Sequence, residues 1–321
     1  MMLQVLFVSS LSTLLTWQIR RFARSKALMD LPNERSSHSV ATPHGGGVAV
    51  MVALGVGLLW AVLQNGVERS EVMPVVAVIP IVVISLIDDL RPLGARVRLL
   101  VQAASALLAL ELMGGVERMD FGLFVLESIW LNAGAFLMIL WMTNLYNFLD
   151  GIDGYAGSEA LFVGLASFWL FGSDVGLLIA AAAAGFLIFN WHRASIFMGD
   201  VGSAPLGFIF AVLALQHAAT PKFTAWLLLL SLFWFDATVT LLRRWRNKER
   251  LSVAHRKHAY QRLHQAGWSH DRIVLAGMSL NGMIFMLLWI AGPHRYGVVF
   301  LIAIALLWAA MKYVDRQKDF S

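Results

Sequence analysis

The feature that most constrains the fold is the recurrence of apolar segments separated by short polar stretches. Hydrophobic residues make up 59% of the 321 residues and charged residues only 14%, whereas a soluble domain carries about 25% charged residues. The sequence therefore predicts an all-α, polytopic membrane protein, with residues 1–321 as a single domain and about eleven transmembrane helices. Several segments are shorter than the roughly 20 residues of a full crossing; the segments are residues 1–19, 45–63, 72–87, 99–113, 128–148, 159–171, 176–190, 204–217, 224–242, 272–290 and 296–313.

The positive charges are distributed asymmetrically over the loops between these segments. With the N-terminus outside the cytoplasm, the inner loops hold 21 of the 25 Lys and Arg residues, and the outer loops hold Arg69, Arg118, Lys222 and Arg295. Cytoplasmic loops of membrane proteins are enriched in Lys and Arg, so the sequence predicts a periplasmic N-terminus and a cytoplasmic C-terminus. Residues 1–19 are followed, not preceded, by a basic cluster, which favours a retained first span over a signal peptide.

Two features of the composition exclude whole classes of function. The formal charge of +5 is explained by the bias of the cytoplasmic loops, so it does not indicate a nucleic-acid partner. The chain contains no cysteine, which excludes disulfides, thiolate metal sites and thiol nucleophiles.

The densest polar motif follows the apolar segment 128–148. Two amides, Asn144 and Asn147, precede two carboxylates, Asp150 and Asp153. Carboxylates beside hydrocarbon are costly unless they bind something, and Mg²⁺ prefers hard oxygen ligands. We expect Asp150 and Asp153 to share a face, because they are three residues apart on a helix or tight turn. The alternative is a solvated turn, but the preceding amides favour a magnesium site for a phosphorylated substrate.

Two further acidic motifs fall on the predicted cytoplasmic side. Asp88 and Asp89 end the segment 72–87, and residues 197–203 place Asp200 among glycines at the start of an apolar helix. Adjacent acids repel each other, and a nearby cation would relieve that repulsion. A helix that starts with Gly and Ser also suits a phosphate. The alternatives are interfacial anchors for Asp88 and Asp89, and an ordinary helix cap for Asp200.

Three weaker signals complete the cytoplasmic side. The loop with His255, Arg256 and His258 is expected either to attract anionic lipids or to recognise phosphates or a sugar. Asp236 lies inside the segment 224–242, so it either faces a wet cleft or is a buried partner of Ser, Thr or Arg. The run Gly45–Gly47 resembles a phosphate loop only loosely, because it lacks the Walker spacing.

Taken in order, these motifs resemble the polyprenyl-phosphate N-acetylhexosamine-1-phosphate transferases of glycosyltransferase family 4, relatives of the phospho-MurNAc-pentapeptide translocase. The resemblance covers nearly the whole chain and is greatest to the branch that initiates O-antigen. The last basic loop lacks the triple-His pattern of the peptidoglycan branch. The matching positions are Arg35, His38, Asp88, Asp89, Arg98, Gln102, Asn144, Asn147, Asp150, Asp153, Asn190, Phe197–Ser203, Asp236, Arg243, Arg244, His255, His258, Tyr260 and Gln261.

The resemblance implies a reaction at the cytoplasmic face of the bacterial inner membrane. Sugar 1-phosphate would pass from a UDP-N-acetylhexosamine to undecaprenyl phosphate, with release of UMP, as the first step of O-antigen, lipopolysaccharide or related glycan synthesis. Mg²⁺, with Mn²⁺ as a substitute, would be held by Asp200, Asp150 and Asp153. Membrane lipids surround the enzyme, and homodimers occur in this family.

The resemblance also implies roles for individual side chains. The catalytic candidates are Asp88, Asp89, Asp150 and Asp153, with Asp88 or Asp89 accepting a proton from the lipid phosphate or orienting it. Phe197 would stack on uracil. The residues expected to contact the substrates are Asn147, Asn190, Phe197, Arg98, His255, Arg256, His258, Arg35 and His38.

Other readings of the sequence stay open. A membrane carrier would place ionisable groups near the bilayer midplane, where only Asp236 qualifies. An inactive scaffold is a third class, and a phospho-MurNAc-pentapeptide transferase is the alternative within the family. The sequence does not determine whether the sugar is GlcNAc, GalNAc, FucNAc or QuiNAc, whether transfer takes one step or two, or the oligomeric state.

Overall fold

The computed structural model describes residues 1–25, 29–30, 41–251, 253 and 255–320, and the described residues form fourteen α-helices. Arg35 and His38, two of the predicted substrate contacts, lie outside the described residues. The helices are α1 (Met2–Ser25), α2 (Gly47–Leu63), α3 (Arg69–Val76), α4 (Ile79–Leu90), α5 (Ala95–Met113), α6 (Leu131–Leu149), α7 (Tyr155–Phe171), α8 (Asp174–Asn190), α9 (Asp200–Gln216), α10 (Lys222–Leu229), α11 (Ser231–Arg246), α12 (Ala259–Gln265), α13 (His270–Ala291) and α14 (Tyr296–Gln317).

Short strands and one 3₁₀ turn complete the described secondary structure. Antiparallel pairs join β1 (Met29–Asp30) to β2 (Thr42–Pro43) and β3 (Arg118–Asp120) to β4 (Val125–Glu127). The 3₁₀ turn, Pro293–Arg295, precedes α14. These pieces are minor beside the helices, so the predicted all-α fold class is confirmed.

Each predicted apolar segment lies on one helix or on two consecutive helices. By length and composition, four helical stretches in the described part of the chain are able to cross a membrane: Met2–Ala23, Arg69–Leu90, His270–Ala291 and Pro293–Gln317. The helices α10 and α11 meet at 68° and make a fifth if they form one bent span. The protein is thus an all-α membrane protein, whereas the eleven crossings and their orientation remain predictions.

The break between α3 and α4 has a local cause. Pro80 occupies the second position of α4, where its missing N–H group costs no helical hydrogen bond. The same residue could not donate to the carbonyl group four residues earlier if α3 continued unbroken. The apolar stretch Arg69–Leu90 is therefore two helices in series, and the second helix carries Asp88 and Asp89 in its last turn.

Helix α9 lies at the centre of the bundle. Every residue from Val201 to Leu215 is buried, as expected for a helix that is apolar on all sides. Helices α2, α4 and α6 pack around it. Because α9 starts at Asp200, this packing places one acidic residue at the centre of the bundle, at the end where α4 and α6 terminate.

The start of α2 is joined to the start of α9 through backbone atoms. The N–H groups of Gly46 and Gly47 donate to the carbonyl oxygens of Phe197 and Met198 at 2.9 and 2.8 Å. A Cβ atom at Gly47 would lie 2.4 Å from the Cα atom of Gly202, so this approach requires glycine. The glycine run before α2 thus holds the segment that carries Asp200.

Candidate active site

One nitrogen of Arg98 joins two of the predicted site carboxylates. Arg98 is in the first turn of α5, Asp88 is near the end of α4, and Asp200 begins α9. Arg98 Nη1 donates to Asp88 Oδ2 at 2.7 Å and to Asp200 Oδ2 at 2.9 Å. Asp88 Oδ1 accepts the backbone N–H of Leu93 at 2.6 Å. Three helices are thus tied together by a cation between two acids.

Asp89, near the end of α4, accepts hydrogen bonds from the start of α9. Its Oδ1 accepts the N–H of Asp200 at 3.1 Å, and its Oδ2 accepts the N–H of Val201 at 3.3 Å. The first N–H groups of a helix have no intrahelical partner and favour a negative charge. Asp88 therefore faces Arg98, and Asp89 faces the start of α9. These contacts disfavour the alternative that the two acids are interfacial anchors.

The amide side chains near the end of α6 contact residues of α9 and α5. Ser203 Oγ donates to Asn147 Oδ1 at 2.5 Å, and the amide of Asn147 is near enough to Asp200 to favour its charged form. Burial raises the pKa of Asp200, and the charge of Arg98 opposes this rise. One turn earlier on α6, Asn144 Nδ2 donates to Gln102 Oε1 at 2.8 Å. Arg98 and Gln102, one turn apart on α5, therefore contact the start of α9 and the last turns of α6, respectively.

Asp150 completes a group of four carboxylates. It follows the last residue of α6. Burial, together with the negative charges of Asp200 and Asp89, raises the pKa of Asp150 to about 7. We call Asp88, Asp89, Asp150 and Asp200 the acid group. A hard divalent cation would relieve the repulsion within it, and a donor set made only of oxygens is the one that Mg²⁺ prefers. The residues present therefore fit a magnesium ion.

Asp153 has a different set of partners. Its Oδ2 lies 2.9 Å from His192 Nδ1 and 3.2 Å from His270 Nδ1, and it accepts the N–H of Ala194 at 3.2 Å. Burial alone would raise the pKa of Asp153, but the hydrogen bonds of His270 and His192 hold it below its ordinary value. α6 ends before Asp150, so helical spacing does not govern the turn, and the two carboxylates have separate partners. The catalytic and magnesium roles of Asp153 remain predictions.

Asn190 connects two loops of the site. Its Oδ1 accepts the N–H of Gly154 at 3.1 Å, and its Nδ2 donates to the carbonyl oxygen of Ile196 at 2.9 Å. The side chain is buried, so both functions of the amide are engaged with backbone. Asn190 thereby holds the turn of Asp153 against the segment that leads to Phe197, which is partly buried. The predicted substrate contacts of Asn190 and Phe197 remain predictions.

The loop of His255, Arg256 and His258 is anchored by Asp236. The N–H of Ala259, the first residue of α12, donates to both carboxylate oxygens of Asp236 at 2.9 Å. His258 Nδ1 lies 3.5 Å from Asp236 Oδ1. Asp236 is therefore a buried partner, one of the two alternatives that the sequence left open. Burial lowers the pKa of His255 to about 4, so this imidazole is uncharged at neutral pH.

Tyr260 brings the same loop to the turn of Asp150. Its hydroxyl donates to the carbonyl oxygen of Phe148 at 3.1 Å, and its ring lies nearly parallel to that of His258, with 6.0 Å between centroids. Burial raises the pKa of Tyr260, and the charges of Asp236 and Asp150 raise it further. The anchored loop therefore adjoins the acid group, although the two are far apart in the chain.

Sequence reasoning did not single out His192 and His270. They lie 39 and 117 residues after Asp153, and neither has the short fixed spacing to another ligand that marks a metal motif. His192 follows the end of α8 and His270 begins α13. Only the packing of these helices brings the two rings to Asp153.

A family model and several known proteins match this chain, and the family model covers the residues of the acid group. The family model of glycosyl transferase family 4 matches residues 72–218, which include the whole acid group. The chain is 31% identical over 302 residues to a probable undecaprenyl-phosphate N-acetylglucosaminyl 1-phosphate transferase of Bacillus subtilis, covering 88% of this chain and 82% of the relative.

Two other relatives carry similar descriptions. A decaprenyl-phosphate N-acetylglucosaminephosphotransferase of Mycobacterium tuberculosis is 31% identical over 306 residues, with 81% of this chain and 74% of the relative covered. An undecaprenyl-phosphate alpha-N-acetylglucosaminyl 1-phosphate transferase of Escherichia coli is 25% identical over 351 aligned positions, with 96% and 92% covered. The similarity thus extends over most of each protein.

Proposed function

The chain belongs to glycosyl transferase family 4 and is a phosphoglycosyltransferase, and from this we propose that it transfers N-acetylglucosamine 1-phosphate from UDP-N-acetylglucosamine to undecaprenyl phosphate. An oxygen of the lipid phosphate attacks the phosphorus that bears the sugar, the bond to the bridging oxygen breaks, and UMP leaves. The observation that carries the proposal is the meeting of four carboxylates and Arg98 where α4, α5, α6 and α9 begin or end.

We assign the magnesium ion to Asp200 and Asp150. When bound, Mg²⁺ neutralises diphosphate oxygens and stabilises the leaving UMP. Asp89 is engaged with two N–H groups of α9, and Asp88 with Arg98 and Leu93. The carboxylate of Asp153 faces two imidazoles, so its contribution is to fix the turn that carries Asp150.

The remaining residues of the acid group position the reactants. Both reactants are anions, so bringing them together in a weakly screened cleft costs energy. Arg98 supplies a positive charge between Asp88 and Asp200, where a phosphate would meet the metal. Asp88 and Asp89 keep Arg98 and the start of α9 in place, and one of them orients the lipid phosphate.

We assign donor recognition to the loop of His255, Arg256 and His258 and to Phe197. Since His255 is neutral at neutral pH, it contacts the donor through hydrogen bonds, and Arg256 provides the charge for a phosphate. Phe197 stacks on uracil. We further propose that the protein works at the cytoplasmic face of a bacterial inner membrane and starts an O-antigen or related glycan.

The test is the release of UMP by the purified protein in detergent. We expect release from UDP-N-acetylglucosamine only with undecaprenyl phosphate and Mg²⁺ or Mn²⁺, and none after EDTA treatment. The Asp200→Asn variant should lose on the order of 10²-fold or more, because a bound metal supplies several kcal/mol of transition-state stabilisation. Asp319→Asn, which changes an exposed aspartate, is the matched control.

Three results would contradict the proposal in distinct ways. Full turnover in EDTA would remove the magnesium assignment. Turnover of UDP-MurNAc-pentapeptide in preference to other UDP-sugars would favour the peptidoglycan branch. A protein that releases no UMP from any of the UDP-GlcNAc, GalNAc, FucNAc and QuiNAc donors would be a carrier or scaffold.

A further inference from the structure

Asp153, His192 and His270 form a compact group, which we call the histidine cluster. Ligand atoms of the three residues lie within 4.8 Å of one another. The distances from Asp153 Oδ2 are 2.9 Å to His192 Nδ1 and 3.2 Å to His270 Nδ1. Two ligands at about 2.1 Å from a tetrahedral zinc ion are separated by about 3.4 Å. The cluster therefore needs only a small expansion to hold such an ion.

The Nδ1 atom of His270 is placed as a metal ligand would be. It lies 3.2 Å from the Asp153 Oδ2 atom and 3.3 Å from the backbone nitrogen of the same residue. A proton on Nδ1 joins the imidazole to the carboxylate, and a metal ion bound to the same two atoms would take the place of that proton.

A second observation concerns the other nitrogen of His270. The residue is 5% exposed, and its buried Nε2 atom has no hydrogen-bond partner among the described residues. The ring is instead held by packing against the rings of His264 and His192, with centroids 4.7 and 5.4 Å away. Its polar contacts are thus concentrated on the Nδ1 side, toward Asp153.

We propose that the histidine cluster binds a zinc ion through Asp153 Oδ2 and one nitrogen each of His192 and His270, with water as the fourth ligand. Two imidazole nitrogens and one carboxylate oxygen are typical zinc ligands, whereas Mg²⁺ prefers an all-oxygen set. The side chain of His192 is 30% exposed, which gives the ion a path from solvent. This site is separate from the magnesium assigned to Asp200 and Asp150.

The zinc ion would join three parts of the chain. Asp153 belongs to the turn after α6, His192 follows α8, and His270 begins α13. Asn190 already links the same turn to the segment before α9. Asp150 lies three residues before Asp153, so the ion would hold in place the turn that brings Asp150 to the acid group.

The test measures metal content and not catalysis, so it stands apart from the proposed function. The full chain is purified with a tag free of histidine and dialysed against Mg²⁺ without zinc, and its zinc is determined by mass spectrometry. We expect a stoichiometric amount in the wild type and in His294→Ala, an exposed histidine outside the cluster. We expect most of it to be lost in His192→Ala and in Asp153→Asn.

Two further measurements use the same proteins. Co²⁺ added to the chelator-treated wild type should give the visible absorption of a four-coordinate ion, and His192→Ala should not. With Mg²⁺ in excess, a zinc-selective chelator should lower the melting temperature of the wild type but not that of His192→Ala. Zinc equal in wild type and His192→Ala, or a wild type that neither retains zinc nor gives the Co²⁺ spectrum, would overturn the proposal and leave the cluster as a proton-bound ion pair.

Discussion

Asp200 Oδ2 lies 2.9 Å from Arg98 Nη1, so the first residue of α9 is joined to α5 by an ion pair. The two side chains are 35% and 30% exposed. A pair in such a setting contributes about 1 kcal/mol or less to stability. Arg98 therefore matters for the electrostatics of the acid group more than for folding.

Replacing Arg98 should separate these two effects. Arg98→Ala removes charge-assisted hydrogen bonds worth about 1.5–3 kcal/mol, so we expect UMP release to fall about ten- to a hundredfold. Arg98→Lys should keep part of the activity, because it restores charge without the planar fork. The melting temperature should change little in both. Arg96→Ala, exposed on the same helix, is the control; full activity in Arg98→Ala would contradict the role given to Arg98.

The raised pKa of Asp150 predicts how magnesium binding depends on pH. The pKa is about 7 in the folded protein and 3.8 ordinarily. Between these values the folded protein keeps a proton that the unfolded chain has released, so the metal-free protein should lose stability as the pH rises from about 4 to about 7. Mg²⁺ competes with this proton, so its apparent affinity should rise about tenfold from about pH 6 to about pH 8.

This dependence can be measured by thermal shift during Mg²⁺ titration and by UMP release at each pH. Asp150→Asn should weaken the pH dependence of the magnesium-induced shift, because one titrating carboxyl of the acid group is gone. A magnesium affinity that is constant over the same range in the wild type would show that Asp150 neither binds the ion nor titrates near neutral pH.

The contact between Tyr260 and Gly151 predicts a pair of coupled substitutions. A Cβ atom at Gly151 would lie 1.9 Å from the Tyr260 hydroxyl, so Gly151→Ala must displace α12 and the loop before it. Tyr260→Phe loses one hydrogen bond, worth about 1 kcal/mol, but it removes the worst clash. We expect Gly151→Ala to be the more harmful single change and the double variant to recover part of its activity. Additive losses in a double-mutant cycle would contradict the contact.

Asp236 should affect activity by positioning the loop of His255, Arg256 and His258. It accepts the N–H of Ala259 with both oxygens, and Asp236→Asn keeps one of these acceptors, whereas Asp236→Ala removes both. We expect Asp236→Ala to raise the KM for UDP-N-acetylglucosamine more than it lowers kcat, and Asp236→Asn to have a smaller effect. Equal kinetics for the two variants would show that this hydrogen bonding does not position the loop.

Much of this arrangement can be predicted from sequence because the chain passes back and forth through apolar segments. If successive segments run in opposite directions, the polar ends of alternate helices fall on one side, which predicts Asp88, Asp150 and Asp200 on that side. Their meeting in one group depends on packing. The helical nature of the segments is predictable for the same reason. Pro80 marks the break at 77–78 in the sequence, but no proline marks the break at Leu230, and an apolar run alone does not show where a helix bends.

The partners of individual side chains were beyond such reasoning. Asp153 was grouped with Asp150 because of their spacing, yet its bonds depend on His192 and His270, whose positions follow from how α8 and α13 pack. Asn190 was expected to contact substrate, although its amide is engaged with Gly154 and Ile196. Spacing along the chain reports neighbours on one element, and these contacts join different elements.

The abutting glycines at the starts of α2 and α9 have a consequence for biosynthesis. Gly47 leaves the ribosome long before Gly202, and chains are made from the N-terminus. Until α9 and the segment before it have been synthesised, the start of α2 lacks its backbone hydrogen-bond acceptors. Asp89 likewise lacks the α9 N–H groups from which it accepts hydrogen bonds. The acid group is therefore completed only after α9 has been made, and a chain truncated before α9 would contain Asp88, Asp89 and Asp150 without Asp200.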